Sequence, residues 1–312
     1  MIDSEPDTPP PPVSVLTPTH NRAQLLRRAM ASVLGQTWRE FEWIVVDDGS
    51  TDETAQVLAA CTDPRLKCIR LDPNKGVAAA RNAGIRMARG NVVAFLDDDD
   101  EYLPDYLGSV LDVFGADGIG PDVVWTGVER VFERSGASAH IVQHVWDCQS
   151  LGSDLGGSSS DHLEQLNMAC GLSVRRESLL RVGLFDESMK VSEDIDLLLR
   201  LGAAGCRFRC LTEILIRVHI HLAPSLSRSS KYSSIAACNS MLVEKNRVFL
   251  EANPKLWMHF HDMLAGDYYR AGERGPARKL ILQMLCRMPW RLRTLEKLLR
   301  FEFFRPLQSR LR

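Results

Sequence analysis

The sequence has few of the features that mark secreted, membrane-spanning or nucleic-acid-binding proteins. Its formal net charge over 312 residues is only −2, so the overall balance does not favour a polyanionic partner. No run of about 18 apolar residues occurs, which argues against a transmembrane helix. The acidic, proline-rich start lacks the basic region and apolar run of a signal peptide. We therefore expect a cytoplasmic protein.

Cysteine is present, but its spacing is not that of a metal site or of a disulfide framework. The eight cysteines are scattered and include no CxxC pair, and the shortest spacing is that between Cys206 and Cys210. Zinc sites and disulfide frameworks both show recurrent cysteine spacings. Since neither pattern occurs, we expect free thiols in a reducing compartment.

The first third of the chain alternates short apolar strands with helices. The predicted elements are strands at 13–17, 43–46, 66–71 and 91–96, and helices at 23–36, after residue 50 and at 77–88. This alternation predicts an α/β fold with a mostly parallel central sheet flanked by helices. Ser50 or Thr51 is the expected N-cap of the second helix.

The rest of the chain has a weaker pattern. It predicts strands at 123–127, 128–132 and 207–218, a short helix and turn at 178–185, and a helix from 194 to 201. We expect a disordered lead over residues 1–12, a main domain over 13–228 with halves 13–107 and 108–228, and a helical basic region over 229–312. The Gly/Ser-rich segment 152–160 is predicted to be a mobile loop.

Four consecutive aspartates, Asp97 to Asp100, follow the fourth predicted strand. Adjacent carboxylates repel one another, so their collection at a strand end indicates a compensating cation. Carboxylate oxygens suit Mg²⁺ or Mn²⁺, which can link them to substrate phosphates. In an extended segment Asp97 and Asp99 lie on the same side, and the neighbouring aspartate can face a ribose. A solvated acidic turn is the alternative.

The segments at the strand ends resemble the family 2 glycosyltransferases, which have the GT-A nucleotide-sugar-binding fold. The resemblance is carried by residues 13–22, 32–37, 45–52, 74–84 and 95–100, in the family's order and at its spacing. It is close from 13 to about 107 and resumes from 171 to 205. The resemblance implies transfer of a sugar from a nucleotide-sugar donor, and a C-terminal helical appendage lies beyond it.

The resemblance also implies roles in donor binding. The residues implied to contact the nucleotide are Pro18, Thr19, Arg22, Asp48, Arg81 and Asp98. Asp48 would accept a hydrogen bond from the base, which favours uridine or thymidine over cytidine. Asp97 and Asp99 would form the metal-binding pair. His219 would approach the diphosphate or the metal, although His221 competes for that place and a structural histidine is the alternative.

A second motif spans residues 192–200 and resembles the family's Glu-Asp motif at the start of an acceptor-side helix. Asp194 matches the inverting catalytic base. An acceptor hydroxyl has a high pKa, so a carboxylate within reach must take its proton during attack. Acidic residues also favour any helix N-terminus, which leaves a capping role open. Asp196 and Arg200 are expected to form an i,i+4 surface pair.

The C-terminal region is strongly basic. Residues 270–312 carry twelve Lys or Arg side chains and three Glu side chains. The segments 279–287 and 291–307 place apolar residues at helical spacing among the basic ones. They predict either a helical appendage packed on the catalytic domain or a peripheral surface for an anionic membrane. The second would place the enzyme near a lipid-linked or other glycan acceptor; no nucleic-acid-binding motif is present.

Glycosyl transfer has three alternatives, and the sequence argues against each. A non-catalytic nucleotide-sugar binding module would keep the aspartates but lack a base, and Asp194 argues against it. A nicotinamide-dependent oxidoreductase would place GxGxxG after the first strand, where this sequence has none. A nucleotidyltransferase would place a glycine-rich, lysine-containing loop there, and residues 18–22 do not resemble one.

Overall fold

The computed structural model of the protein describes residues 9–115, 120–132, 140–144, 171–220 and 232–289. These residues fall into two compact units, of which the second contains 232–289 and the first all the others. Several expected features lie outside the described residues: the start of the N-terminal lead, the Gly/Ser-rich loop 152–160, His221 and the basic segment 291–307.

The strands of the first unit form one nine-stranded sheet. They are β1 (Val13–Thr19), β2 (Phe41–Asp47), β3 (Leu66–Arg70), β4 (Val92–Phe95), β5 (Glu101–Tyr102), β6 (Val123–Phe132), β7 (His140–His144), β8 (Leu172–Arg175) and β9 (Phe208–Ile220). Their order across the sheet is β3-β2-β1-β4-β8-β6-β9-β5, and β7 pairs with β6.

Six described helices belong to the same unit. They are α1 (Ala23–Leu34), α2 (Thr54–Ala59), α3 (Val77–Met87), α4 (Tyr106–Phe114), α5 (Arg176–Arg181) and α6 (Glu193–Ala203). The predicted strand and helix alternation of the first third is confirmed, and so is an α/β fold with a central sheet and helices. Elements α4, β5, β7 and β8 were not predicted.

The sheet is parallel on the side formed by the first four strands of the chain. Strands β3, β2, β1 and β4 are mutually parallel, and the pairings of β8 with β4 and β6 are antiparallel. All seven residues of β1 and of β2 are buried. Burial on both faces explains the unbroken apolar run 43–46 in β2.

The carboxyl ends of the parallel strands meet at one edge. Thr19 at the end of β1 pairs in register with Asp47 at the end of β2, and Leu16 pairs with Phe95 of β4. The polar segments that follow these strands are therefore neighbours, as expected for the ligand-binding edge of such a sheet.

Three local predictions were wrong. Residues 123–132 form one strand with an irregularity near Gly127, because they pair with β9 along their length. Neither Ser50 nor Thr51 caps α2: Glu53 holds the N-cap position, and Asp52 Oδ1 accepts the amide hydrogen of Thr54 instead. Cys210 is disulfide-bonded, contrary to the expected free thiol, whereas the other described cysteines are free as predicted: Cys61, Cys68, Cys206, Cys238 and Cys286.

The second unit is helical throughout its described residues. Its helices are α7 (Tyr232–Lys245), α8 (Arg247–Ala252), α9 (Pro254–Arg270) and α10 (Arg274–Arg287). Asn239 of α7 donates a buried hydrogen bond of 2.6 Å to Asp267 of α9, and the Arg287 guanidinium lies 4.5 Å from the Trp257 ring centre. Across the described part of the chain, no helix has the length and apolarity to cross a bilayer.

Candidate active site

The segments that follow β1 and β2 are tied together by a network around Asn21. Asn21 has a positive φ of 54°. Its backbone N–H donates to Ser50 Oγ at 2.9 Å, and its Oδ1 accepts the amide hydrogen of Thr51 at 2.7 Å. The amide of Ala23 donates to Asp52 Oδ2 at 3.0 Å. This network fixes both loops at the edge where the parallel strands end.

Four of the residues predicted to contact the nucleotide are Pro18, Thr19, Arg22 and Asp98, and Thr19 and Arg22 both bond to Asp98. Thr19 Oγ1 donates to Asp98 Oδ2 at 2.7 Å, and an Arg22 guanidinium nitrogen lies 3.0 Å from Asp98 Oδ1 and 2.9 Å from Asp99 Oδ2. Burial raises the pKa of Asp98 to about 6, although Arg22 and Thr19 oppose the shift. Pro18 is buried next to this cluster at the end of β1.

Asp48 organises the loop that leads into α3. Its two carboxylate oxygens accept the amide hydrogens of Lys75 and Gly76, at 2.8 and 2.7 Å. Asp48 is 3% exposed, and Asp47 beside it accepts hydrogen bonds from Arg70 and from the amide of Ser50. The role predicted for Asp48, hydrogen bonding to the base, remains a prediction, and the observed contacts add a structural role.

The four aspartates alternate in exposure. Asp98 and Asp100 are 4% and 3% exposed, whereas the side chains of Asp97 and Asp99 are 30% and 22% exposed. Asp97 and Asp99 are therefore the pair that reaches solvent at the end of β4. These residues form a turn closed by the Asp100 amide, which donates to the Asp97 carbonyl oxygen at 3.2 Å, so the segment is not extended and a shared side for the two carboxylates remains a prediction.

Arg81 of α3 connects the two acidic motifs. One guanidinium nitrogen donates to Asp97 Oδ1 at 2.8 Å and the other terminal nitrogen donates to Glu193 Oε1, also at 2.8 Å. Arg81 is only 4% exposed, and the carboxylates around it raise its pKa against the effect of burial. A residue predicted to reach the nucleotide thus bonds the end of β4 to the start of α6.

Asp194 lies in the first turn of α6, next to this bridge. Its Oδ1 accepts the amide hydrogen of Ile195 at 2.8 Å. Burial, assisted by the negative charge of Glu193, raises the pKa of Asp194 to about 7, while Arg81 opposes the shift. A carboxylate whose pKa lies near neutrality is matched to proton transfer. Its place at the helix N-terminus still permits a capping role.

Asp196 and Arg200 form the expected i,i+4 ion pair, with 2.7 Å between Arg200 Nε and Asp196 Oδ2. The expected surface location was wrong, because the Asp196 side chain is fully buried. The terminal nitrogens of Arg200 donate to the carbonyl oxygens of Val182 and Leu184 at 2.5 and 2.6 Å. Arg200 therefore orders the turn that precedes the base motif.

His219 lies on β9 beside the aspartate run. Its amide donates to Asp100 Oδ1 at 3.0 Å, and its Nε2 lies 2.6 Å from Glu101 Oε1. Sequence reasoning did not single out Glu101, because a single acid after four aspartates carries no separate pattern. The His219 imidazole therefore contacts a carboxylate that is not one of the predicted metal pair.

The chemistry of Asp97 and Asp99 fits a divalent cation, since hard carboxylate oxygens are the ligands that Mg²⁺ and Mn²⁺ prefer. Within the described residues, no group of three or more His, Cys, Asp or Glu side chains is arranged around one metal position. Mg²⁺ commonly takes one or two carboxylates and completes its shell with phosphate oxygens and water. The exposed pair fits that arrangement, and His219 does not extend it to a three-ligand cluster.

Asn82 is a buried site neighbour that sequence reasoning missed. It follows Arg81 on α3 and bonds to Phe185 and Glu187, ahead of the base motif. Arg81 and Asn82 both lie in the segment 74–84 that carries the family resemblance. A lone asparagine, however, gives no sequence pattern that reveals its partners.

The sequence profile of Glycosyl transferase family 2 matches residues 14–182, more than half of the chain. An uncharacterized glycosyltransferase of Rickettsia prowazekii is 31% identical over 68% of this chain and 65% of its own length. A putative colanic acid biosynthesis glycosyl transferase of Escherichia coli, WcaA, is 43% identical over 32% of this chain and 37% of its own length. The chain thus spans less than two thirds of these relatives.

Solved structures with the same fold include two sugar-nucleotide complexes. Staphylococcus aureus TarS with UDP-GlcNAc has a TM-score of 0.62 at 19% identity, covering 93% of this chain and 81% of TarS. A mannosyltransferase of Pyrobaculum calidifontis with GDP-Man and Mn²⁺ has a TM-score of 0.59 at 19% identity, covering 96% of this chain and 87% of that protein. At such identity the likeness shows the fold alone.

Proposed function

Because the chain belongs to glycosyl transferase family 2, we propose that it is an inverting enzyme that transfers a sugar from a nucleoside-diphosphate sugar to an acceptor hydroxyl. The observation that carries this proposal is the bridge formed by Arg81. It brings the aspartate run at the end of β4 and the acidic start of α6 into one site. A donor and an acceptor must meet in such a place.

Asp194 is the proposed base. It takes the proton of the acceptor hydroxyl as the hydroxyl oxygen attacks the anomeric carbon. The bond between that carbon and the diphosphate oxygen breaks, and the nucleoside diphosphate leaves with the bonding electron pair. Attack and departure occur on opposite faces, so the configuration inverts in a single displacement.

The residues proposed to hold a divalent ion, Mg²⁺ or Mn²⁺, are Asp97 and Asp99. When bound there, the ion supplies positive charge that stabilises the departing diphosphate. Arg22 already contacts Asp98 and Asp99, so it stands beside the same negative charge. Arg22 and Thr19 would keep the aspartate run in position as the donor enters. His219 remains a proposed neighbour of the diphosphate through its bond to Asp100.

UDP is the proposed nucleotide. The buried carboxylate of Asp48 would accept an imide N–H of uracil in addition to its two backbone contacts, since each carboxylate oxygen has two lone pairs. The S. aureus relative of known structure binds UDP-GlcNAc, whereas the P. calidifontis protein binds GDP-Man. A clear preference of this protein for GDP would contradict the role of Asp48.

A glycan or lipid-linked glycan is the proposed acceptor class, in line with the polysaccharide-biosynthesis relatives WcaA and the Rhizobium meliloti succinoglycan protein ExoO. We further propose a catalytic domain over residues 13–228, followed by a basic helical region that either packs on it or contacts an anionic membrane. The second candidate function is a non-catalytic sugar-nucleotide binding module, which requires no base.

Replacement of Asp194 by asparagine separates the two functions. Loss of a general base lowers rates by about 10²- to 10⁴-fold. We expect Asp194→Asn to bind UDP with Mn²⁺ as the wild type does, measured by calorimetry, and to release UDP from a panel of UDP-sugars at least about 10²-fold more slowly. Equal UDP release by both proteins would remove Asp194 from its role. A wild type that binds UDP without turnover would favour the binding module.

A further inference from the structure

We propose that Asn82 is a positioning residue that holds the base-bearing segment of the chain against the donor half of the site. The base-bearing segment is defined here as residues 184–196, which lead from the turn after α5 into α6. The inference rests on the proposed function, because it assigns to this segment the placing of Asp194.

Both the nitrogen and the oxygen of the Asn82 side-chain amide form hydrogen bonds with this segment. Its Nδ2 donates to the carbonyl oxygen of Phe185 at 2.9 Å and to Glu187 Oε1 at 2.8 Å, and its Oδ1 accepts the amide hydrogen of Phe185 at 2.9 Å. Asn82 is 2% exposed. A buried amide with three such partners is costly to disturb, because each lost partner leaves a desolvated polar group.

The base-bearing segment depends on contacts from outside itself. Leu184 and Ser192 both adopt positive φ, 65° and 60°, which is unfavourable for residues with a Cβ. Ser192 is the N-cap residue of α6. Residues in such a backbone conformation persist only where the surrounding structure holds them, so we infer that contacts from the rest of the fold help to fix how the chain enters the helix that carries Asp194.

Two sets of contacts supply that constraint. Arg200 of α6 bonds to the carbonyl oxygen of Leu184, which ties the segment to its own helix. Asn82 ties it to α3 in the donor half, and the Phe185 ring packs edge-on against Phe95 of β4 with 5.7 Å between ring centres. Arg81 adds the bond to Glu193 one residue before Asp194. Two adjacent residues of α3 thus hold the segment at its beginning and near its end.

Loss of the Asn82 contacts is therefore expected to shift Asp194 without disturbing the donor. A misplacement of about 1 Å in a catalytic group can lower a rate by about 10²-fold. Asn82 has no hydrogen bond to the loops after β1 and β2 among the contacts of the described residues, so binding of UDP is expected to persist.

The test compares Asn82→Ala and Asn82→Asp with the wild type. In Asn82→Asp the new carboxylate still accepts the Phe185 amide hydrogen but opposes Glu187. The double variant Asn82→Asp/Glu187→Gln reverses the direction of that hydrogen bond, because glutamine can donate to aspartate. Asn239→Ala is the matched control, since it removes a buried asparagine hydrogen bond in the second unit.

Three measurements are made on the full chain: hydrogen exchange of peptides from 184–196, the Kd of UDP with Mn²⁺, and UDP release from UDP-sugars. We expect Asn82→Ala to exchange faster in that segment, bind UDP within about threefold of wild type, and turn over about 10- to 100-fold more slowly. Asn82→Asp should behave like Asn82→Ala, and adding Glu187→Gln to Asn82→Asp should restore part of the rate. Asn239→Ala should change none of the three.

Unchanged turnover in Asn82→Ala would overturn the inference, as would parallel loss of UDP binding, which indicates a general structural role. Unchanged exchange of the segment would also overturn it. Failure of the proposed function looks different: the wild type itself would show no UDP binding or release. In that case the exchange measurement still decides whether Asn82 holds residues 184–196.

Discussion

Removal of the Arg81 side chain tests whether the two acidic motifs depend on a shared cation. In Arg81→Met, the buried Glu193 loses its partner, and Asp97 and Asp194 remain nearby. Breaking one side of a buried ion pair costs about 3–5 kcal/mol. Because the Asp97 side chain is 30% exposed, water screens that contact, and we expect the lower end, about 3 kcal/mol.

Such a loss is large against a typical free energy of unfolding of about 5–15 kcal/mol. With a urea m-value near 2 kcal/mol/M, the unfolding midpoint should fall by about 1.5 M. Hydrogen exchange of peptides from β1 and β4 assigns the loss to the first unit. Arg86→Met is the matched control on the same helix: its guanidinium is 60% exposed and lies 3.9 Å from Glu187, so a change under about 0.5 kcal/mol is expected.

The destabilisation of Arg81→Met should also depend on pH. Burial raises the pKa of Asp194 to about 7 even with Arg81 present, so the stability linked to its protonated form is lost as pH rises from about 4 to 7. Without the positive charge of Arg81, the repulsion among the crowded carboxylates is less compensated, so their protonation stabilises the variant more than it stabilises the wild type. The variant should therefore lose more stability at pH 8 than at pH 5. A loss below about 1 kcal/mol, or an equal loss at both pH values, would refute the reasoning.

Two further predictions concern the rate and the fold. The rate of UDP release should rise about tenfold per pH unit below pH 7 and level off above it, because only deprotonated Asp194 accepts a proton; a flat profile from pH 5 to 8 would contradict this. Gly49→Ala should lose about 1–2 kcal/mol in urea unfolding, because Gly49 has φ 74° and an added Cβ would lie 2.9 Å from the Asn74 nitrogen. Gly275→Ala, whose Cβ would meet nothing within 4 Å, is the control, and equal effects would exclude that explanation.

The donor half of the fold was predictable because three of its strands, β1, β2 and β4, are buried on both faces. Residues 43–46 of β2 are then a continuous apolar run, and the polar segments that follow β1, β2 and β4 are brought to one edge by the parallel register. Strand β8 was missed because it is only four residues long. It also lies between β4 and β6, which are far from it in sequence, and no local pattern predicts that pairing. The strand irregularity near Gly127 likewise depends on pairing with β9, not on local sequence.

The candidate site was predictable in its residues but not in its contacts. The positions of the aspartates follow from the end of β4, whereas the partner of each carboxylate is set by tertiary structure. Arg81 was expected to reach the nucleotide, and the structure shows it between Asp97 and Glu193, which are 96 residues apart in sequence. No spacing rule links residues at that separation, so the bridge becomes visible only in the folded chain.

The central claim is that a cation held by Asp97 and Asp99 allows a uridine diphosphate to bind beside Asp194. The most direct measurement is calorimetric titration of the wild type and of Asp97→Asn/Asp99→Asn with UDP and with GDP, each with and without Mn²⁺. We predict UDP binding that requires Mn²⁺, is lost in the double variant and exceeds GDP binding. Equal UDP binding with and without Mn²⁺, or no binding of either nucleotide, would contradict it.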